Sequence, residues 1–204
     1  MAHTPPASAR MPAASDTFPA LLFTHAKVRG SRPAIREKDL GIWQTLTWSE
    51  VAEHVRRVAN GLAALGIQPG MHVAVVGENR PRLYMAMMAT QSLGAIPVPL
   101  YQDAVAQEMV YVLQDAEISV AVVEDQEQVD KMLEIREQCP ALERVVFDDP
   151  RGLRHYADDM LMSYEKLEAL GDEYAARHPG FLDAAIAAVQ PQDPAAMFYT
   201  SGTT

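Results

Sequence analysis

Short runs dominated by apolar residues, Val73–Val76, Ala95–Leu100 and Ile118–Val123, are separated by segments of helical period. A strand that is apolar at nearly every position has both faces covered. Strands of that kind joined through helices need crossover connections, which produce a largely parallel sheet flanked by helices. The expected fold class is therefore α/β. No internal repeat at a fixed period is present.

The flanking segments fit this frame. Asp16 or Thr17 can cap a helix that runs to about Arg29 and stops at Gly30. Pro33–Lys38 and Ile42–Trp48 read as strands joined by a turn at Asp39-Leu40-Gly41. Thr47-x-x-Glu50 is a capping box, in which a hydroxyl and a carboxylate satisfy orphan N–H groups at a helix start. The following helix aligns Val51, Val55, Val58, Leu62 and Leu65 on one stripe, and Gly66 can end it. Further helices are expected over Pro81–Leu93, Val105–Ala116 and, capped by Asp125, to about Gln138. Arg144–Phe147 reads as strand and Pro150–Asp159 as loop. Ser163–Leu170 and Asp172–Val189 read as mostly helical, with an interruption at Pro179-Gly180, and Ala195–Thr200 reads as a last strand. Residues 1–15, rich in Ala, Pro and Ser, are expected to be a disordered tail ahead of one folded unit at 16–204.

Charge narrows the function classes. The chain of 204 residues has a formal net charge of −10, and Asp103–His178 alone carries 19 acids against 7 bases. No basic run offers a surface for tracking phosphates, which disfavours nucleic acid as a partner. The acidic stretch reads most simply as a solvated face. A single cysteine, Cys139, excludes an internal disulfide, fits a reducing compartment and reads as structural. No signal-peptide core is present, so a cytoplasmic location is expected. Leu83–Gln102 is 20 residues without a charge, about one bilayer span. Gly94, Pro97 and Pro99 break it, so it reads as a buried helix followed by a buried strand. Peripheral contact with a membrane is left open.

Most chemical motifs are missing. No Gly-x-Gly-x-x-Gly occurs, and Ile67 stands where a P-loop counted from Gly61 would need lysine. The six histidines show no metal-ligand spacing, and His54 reads as part of an exposed helix surface. Met85, Met87 and Met88 read as core filling, and Trp43 and Trp48 as core or interface residues. The informative segment is Phe198-Tyr199-Thr200-Ser201-Gly202-Thr203-Thr204, a strand entering hydroxyls around a glycine. Backbone N–H groups and hydroxyls so arranged can cradle a polyphosphate. On residue types alone, a polar turn is the simpler reading.

Tyr199–Thr204 resembles the phosphate-binding signature of AMP-forming, adenylate-forming enzymes, a superfamily of acyl-CoA synthetases, luciferases and peptide-synthetase adenylation domains. Leu46–Glu50, Gly66–Val75, Glu78-Asn79-Arg80-Pro81 and Gly94–Tyr101 are also similar to that family. Met71 stands where the family commonly has Asp, and Leu83-Tyr84 departs from its acidic-plus-Trp pair. The likeness is greatest to bacterial long-chain fatty acyl-CoA synthetases. It implies ATP-dependent activation of a fatty acid to acyl-AMP and then acyl-CoA, using ATP, Mg²⁺ and coenzyme A. Thr200, Ser201, Gly202, Thr203 and Thr204 would be the first part of the ATP phosphate loop, and Tyr199 would anchor the strand end. The resemblance implies no catalytic and no metal-binding residue within the chain. The loop lysine and the remaining catalytic groups are expected beyond Thr204, so the chain alone is expected to be inactive. Alternatives are a medium-chain or aromatic acid CoA ligase, an amino-acid adenylation domain, or a truncated interaction or regulatory module.

Overall fold

The computed structural model describes residues 16–200. The expectation for the 1–15 tail lies outside them.

Thr17 caps α1 (Phe18–Arg29). An antiparallel hairpin of β1 (Pro33–Asp39) and β2 (Ile42–Thr47) follows. Leu40 and Gly41 both have positive φ, 46° and 84°, as a two-residue type I′ turn requires. At α2 (Trp48–Ala64) the capping box forms: Thr47 accepts from Glu50 N, and Glu50 accepts from Thr47 N at 2.7 Å. The Val51, Val55, Val58 and Leu62 stripe is buried, and Gly66 adopts φ 94° just past the helix.

The main sheet contains β3 (His72–Val76), β4 (Ile96–Leu100), β5 (Val120–Val123), β6 (Arg144–Phe147) and β7 (Leu161–Ser163), in the order β4-β3-β5-β6-β7. Every pairing is parallel. The crossovers run through α3 (Pro81–Ser92), α4 (Ala106–Asp115) and α5 (Gln126–Glu134). The chain finishes with α6 (Tyr164–Arg177) and α7 (Phe181–Ala188). Val75, Val120 and Val122 face one layer of the core, with α2, α3 and α6. Ala74, Val76, Ala121 and Val123 face the other, with α4 and α5. This two-sided burial is why these strands are apolar throughout. Leu83–Gln102 becomes α3 and β4, as expected, and among the described residues no helix is long and apolar enough to cross a membrane.

Several expectations change. The helix after Asp125 ends at Glu134, not near Gln138. Strand β7 has only three residues, too few to show a period in the sequence. Helix α6 runs unbroken through Gly171, because that glycine permits close packing against α2. Trp43 is exposed, with the Arg36 guanidinium stacked 5.0 Å from its ring.

His54 is not simply part of an exposed surface. Its Nδ1 lies 2.5 Å from Oε1 of Glu168, a buried carboxylate that also accepts from Arg57 at 3.1 Å. Arg57 in turn clamps Asp172 at 2.8 Å. The acidic stretch is likewise more than a solvated face. Arginines from the near-neutral part of the chain meet its carboxylates across the fold, joining Arg57 to Glu168 and Asp172, Arg80 to Glu124, and Arg82 to Asp148 and Glu165. Burial pushes the Asp148 carboxyl up, and Arg82 beside it offsets only part of that. Cys139 is buried, and burial raises its thiol, in keeping with a structural role.

Candidate functional site

In open parallel sheets, ligands settle beyond the carboxyl ends of the strands, at the point where strand order reverses. Here the chain leaves β3 for β4 on one side and places β5 on the other, so that point lies between β3 and β5. Groups of the protein itself span it, beside a cavity of about 460 Å³ lined by residues that include Arg80, Glu124 and Asp148. Glu124, directly after β5, accepts from Glu78 N at 2.5 Å and from Arg80 Nε at 2.8 Å. A Cβ on Gly77 would lie 2.5 Å from Glu124 Cβ and 2.6 Å from Leu83 Cδ1, so only glycine allows this closure. The segment Glu78-Asn79-Arg80-Pro81 thus acts as a structural cap. Glu124 escaped the sequence reading because its partners lie 46 and 44 positions away.

Residues 195–200, which lead to the hydroxyl-rich segment, lie along β4 at the other side of the sheet. Residues 195–200 form no paired strand, contrary to expectation. The cause lies in β4. Ile96 N donates to Met71 O at 2.8 Å, so alternate residues of β4 face β3 and the intervening Pro97 and Pro99 face outward. Proline has no N–H, and the outer edge of β4 therefore offers carbonyls alone. Among the described residues one backbone bond crosses it, from Met197 N to Pro97 O at 3.0 Å. Gln91 Nε2, in the last turn of α3, donates to Ala195 O at 2.7 Å. From Ala195 to Met197 the chain advances alongside β4 in its direction, toward the carboxyl end of the sheet. Met197 and Tyr199 pack on the core layer under α4, while Phe198 between them is exposed.

The Tyr199 hydroxyl donates to Asp115 Oδ2 at 2.6 Å, and its ring meets Tyr111 edge-on at 6.1 Å. Burial, with the hydrogen bond and charge of Asp115, pushes the phenol up to about 12. A group whose folded pKa exceeds its unfolded value stabilises fully below the unfolded value, near 10 for a phenol, and loses this as pH rises through the folded one. Wild-type unfolding free energy should therefore fall more steeply between pH 10 and about 12 than that of Tyr199→Phe. Urea unfolding across that range checks this; equal slopes would remove the coupling.

Of the five expected loop residues, Thr200 is described and is exposed. Ser201, Gly202, Thr203 and Thr204 lie outside the described residues. For Mg²⁺ the described residues offer no group of three His, Cys, Asp or Glu.

Comparison with known proteins places the chain. Residues 22–204 match the family model described as AMP-binding enzyme. Long-chain-fatty-acid–CoA ligase FadD15 of Mycobacterium bovis is 30% identical over 189 residues, which is 93% of this chain and 30% of that protein. Long-chain-fatty-acid–CoA ligase ACSBG1 of Rattus norvegicus is 30% identical over 175 residues, or 86% of this chain and 24% of that protein. This chain thus spans less than a third of the length of either relative. The fold is shared with the anthranilate CoA ligase AuaEII, solved with anthranoyl-AMP, at a TM-score of 0.70 and 21% identity, covering 95% of this chain and 35% of that one. The acetoacetyl-CoA synthetase from Streptomyces lividans aligns at a TM-score of 0.67 and 25% identity, over 75% of this chain and 25% of that one. With the family match running through the hydroxyl-rich segment to Thr204, the chain belongs to the AMP-binding enzyme family.

Proposed function

We propose that this chain is part of an ATP-dependent acid–CoA ligase that activates a long-chain fatty acid. The supporting observation is that the family match includes the whole Tyr199–Thr204 segment, while relatives matching 86% and 93% of the chain are long-chain fatty-acid ligases. In the reaction, a fatty-acid carboxylate oxygen attacks the α-phosphorus of ATP and pyrophosphate leaves. The coenzyme A thiol, giving up its proton, then attacks the acyl carbonyl and AMP leaves. Thr200, Ser201, Gly202, Thr203 and Thr204 hold the β- and γ-phosphates through hydroxyl and backbone N–H donors, which fixes the leaving group in line. Bound Mg²⁺ would supply further charge neutralisation of the phosphates. We assign the protein to the cytoplasm, which suits a chain with one buried thiol.

The test is acid-dependent exchange of labelled pyrophosphate into ATP by the full-length protein, with palmitate, octanoate, benzoate and amino acids offered separately. Palmitate is expected to support exchange best, and coenzyme A to convert the adenylate to palmitoyl-CoA. Exchange with benzoate or an amino acid but not palmitate would replace the substrate class; none with any acid would reject the ligase reading. The 204-residue chain by itself is expected to form no acyl-AMP, and formation would show that the catalytic groups lie within it.

A further inference from the structure

The segment that leads into the hydroxyl-rich loop has an unusual attachment. A strand joining a normal sheet edge is fixed in register by donors and acceptors on both sides. Here β4 presents only the carbonyls of Pro97 and Pro99, and among the described residues a single backbone bond, from Met197 N, is made. A slip of two residues would bring another N–H to Pro97 O at little cost. The Gln91 contact does not resist such a slip, because its acceptor is a backbone carbonyl that any residue could supply. Side chains must therefore choose the register. In the described part of the segment, Ala195–Thr200, only Tyr199 carries a phenol, and its hydroxyl reaches Asp115 at 2.6 Å.

Asp115 itself is oddly placed. It is the last residue of α4, where the helix dipole disfavours negative charge. A hydroxyl donor at its carboxylate offsets that cost. The Tyr111 ring, one turn earlier on α4, confines the Tyr199 ring from the side.

We propose that Tyr199 and Asp115 are positioning residues that lock the register of residues 195–200 and thereby set where Thr200–Thr204 meet the ATP phosphates. The proposal rests on the ligase reading for its consequence in catalysis, though not for the lock itself. Neither residue touches the substrate. Loss of the pair moves the loop along the edge and weakens the hold on ATP, leaving acid and thiol binding unchanged.

The test uses the full-length protein with Tyr199→Phe, Asp115→Ala, Asp115→Asn and the double variant Tyr199→Phe/Asp115→Ala. Tyr199→Phe and Asp115→Ala should each raise KM for ATP about tenfold, the scale of one charge-assisted hydrogen bond, with KM for palmitate and coenzyme A unchanged. The double variant should be no worse than either single one, and Asp115→Asn, which keeps an acceptor, should recover most of the loss. Amide hydrogen exchange over residues 195–200 should quicken in both single variants. An unchanged KM for ATP, additive losses, or an equal rise in KM for palmitate would overturn the proposal. If the wild type activates no acid, the ligase reading fails, and hydrogen exchange alone then decides the lock: unchanged exchange in both variants rejects it.

Discussion

Replacing Gly171 by alanine should lower the melting temperature of the 204-residue chain by about 6–12 °C, the shift expected for a loss of about 3 kcal/mol in a domain of this size. Helices α2 and α6 touch backbone to backbone. A Cβ on Gly171 would overlap the Arg57 carbonyl oxygen and lie 2.8 Å from Arg57 C and 2.9 Å from Gly61 N. The contact is reciprocal, since a Cβ on Gly61 would overlap the Leu167 carbonyl oxygen and lie 2.8 Å from Leu167 Cδ1. No rotamer relieves a clash with backbone, so α6 must move away. Tyr164 and Leu167, both fully buried, would move with it. In an isolated helix the same substitution stabilises by about 1 kcal/mol. The two effects have opposite signs, which makes the experiment decisive. Thermal unfolding followed by circular dichroism gives the answer, and an unchanged or raised melting temperature would disprove the close crossing.

The second large effect is expected at Glu168. Its side chain is 6% exposed, while its partners His54 and Arg57 are each 30% exposed. Removing one member of a buried ion pair strands the other and costs about 3–5 kcal/mol. Arg57 keeps Asp172, and both partners are partly open to water, so Glu168→Ala should cost about 3 kcal/mol, at the low end. Glu168→Gln keeps the shape and an acceptor, and should cost about 1–2 kcal/mol. Urea unfolding of the two variants measures both. Equal small losses would mean that neither the charge nor the packing of the Glu168 side chain stabilises the fold, and a Gln variant without loss beside a costly Ala variant would mean that only its volume counts.

The parts of the fold visible in the sequence were those written in local chemistry. The Thr47–Glu50 box, the Val51–Leu62 stripe and the Leu40-Gly41 turn each depend on residues within a few positions of one another. So do the short apolar strands, whose composition reports burial on both faces. What escaped depends on partners far along the chain. Gly61 drew notice only for a spacing it shares with phosphate loops, and Gly171 looked like a place for a helix to stop. Both glycines are instead the contact point of two helices. His54 gave no sign that a carboxylate 114 positions later would face it. The strand expected at Ala195–Thr200 carried the right pattern, and the obstacle to its pairing lay in two prolines of another element. Thr200–Thr204, the proposed phosphate-binding residues, stand out through family resemblance, whereas Asp115, which bonds the residue before them, carries no motif.

Those prolines also bear on encounters between molecules. Two copies of a β4 edge brought side by side would each present oxygen to oxygen. Neither could supply the hydrogens that edge-to-edge pairing requires. The outer rim of the sheet can be joined by a segment bringing its own amides, as Met197 does, but it cannot serve as a template for its own duplicate. Before residues 195–200 settle during synthesis, this rim is thereby protected from self-association.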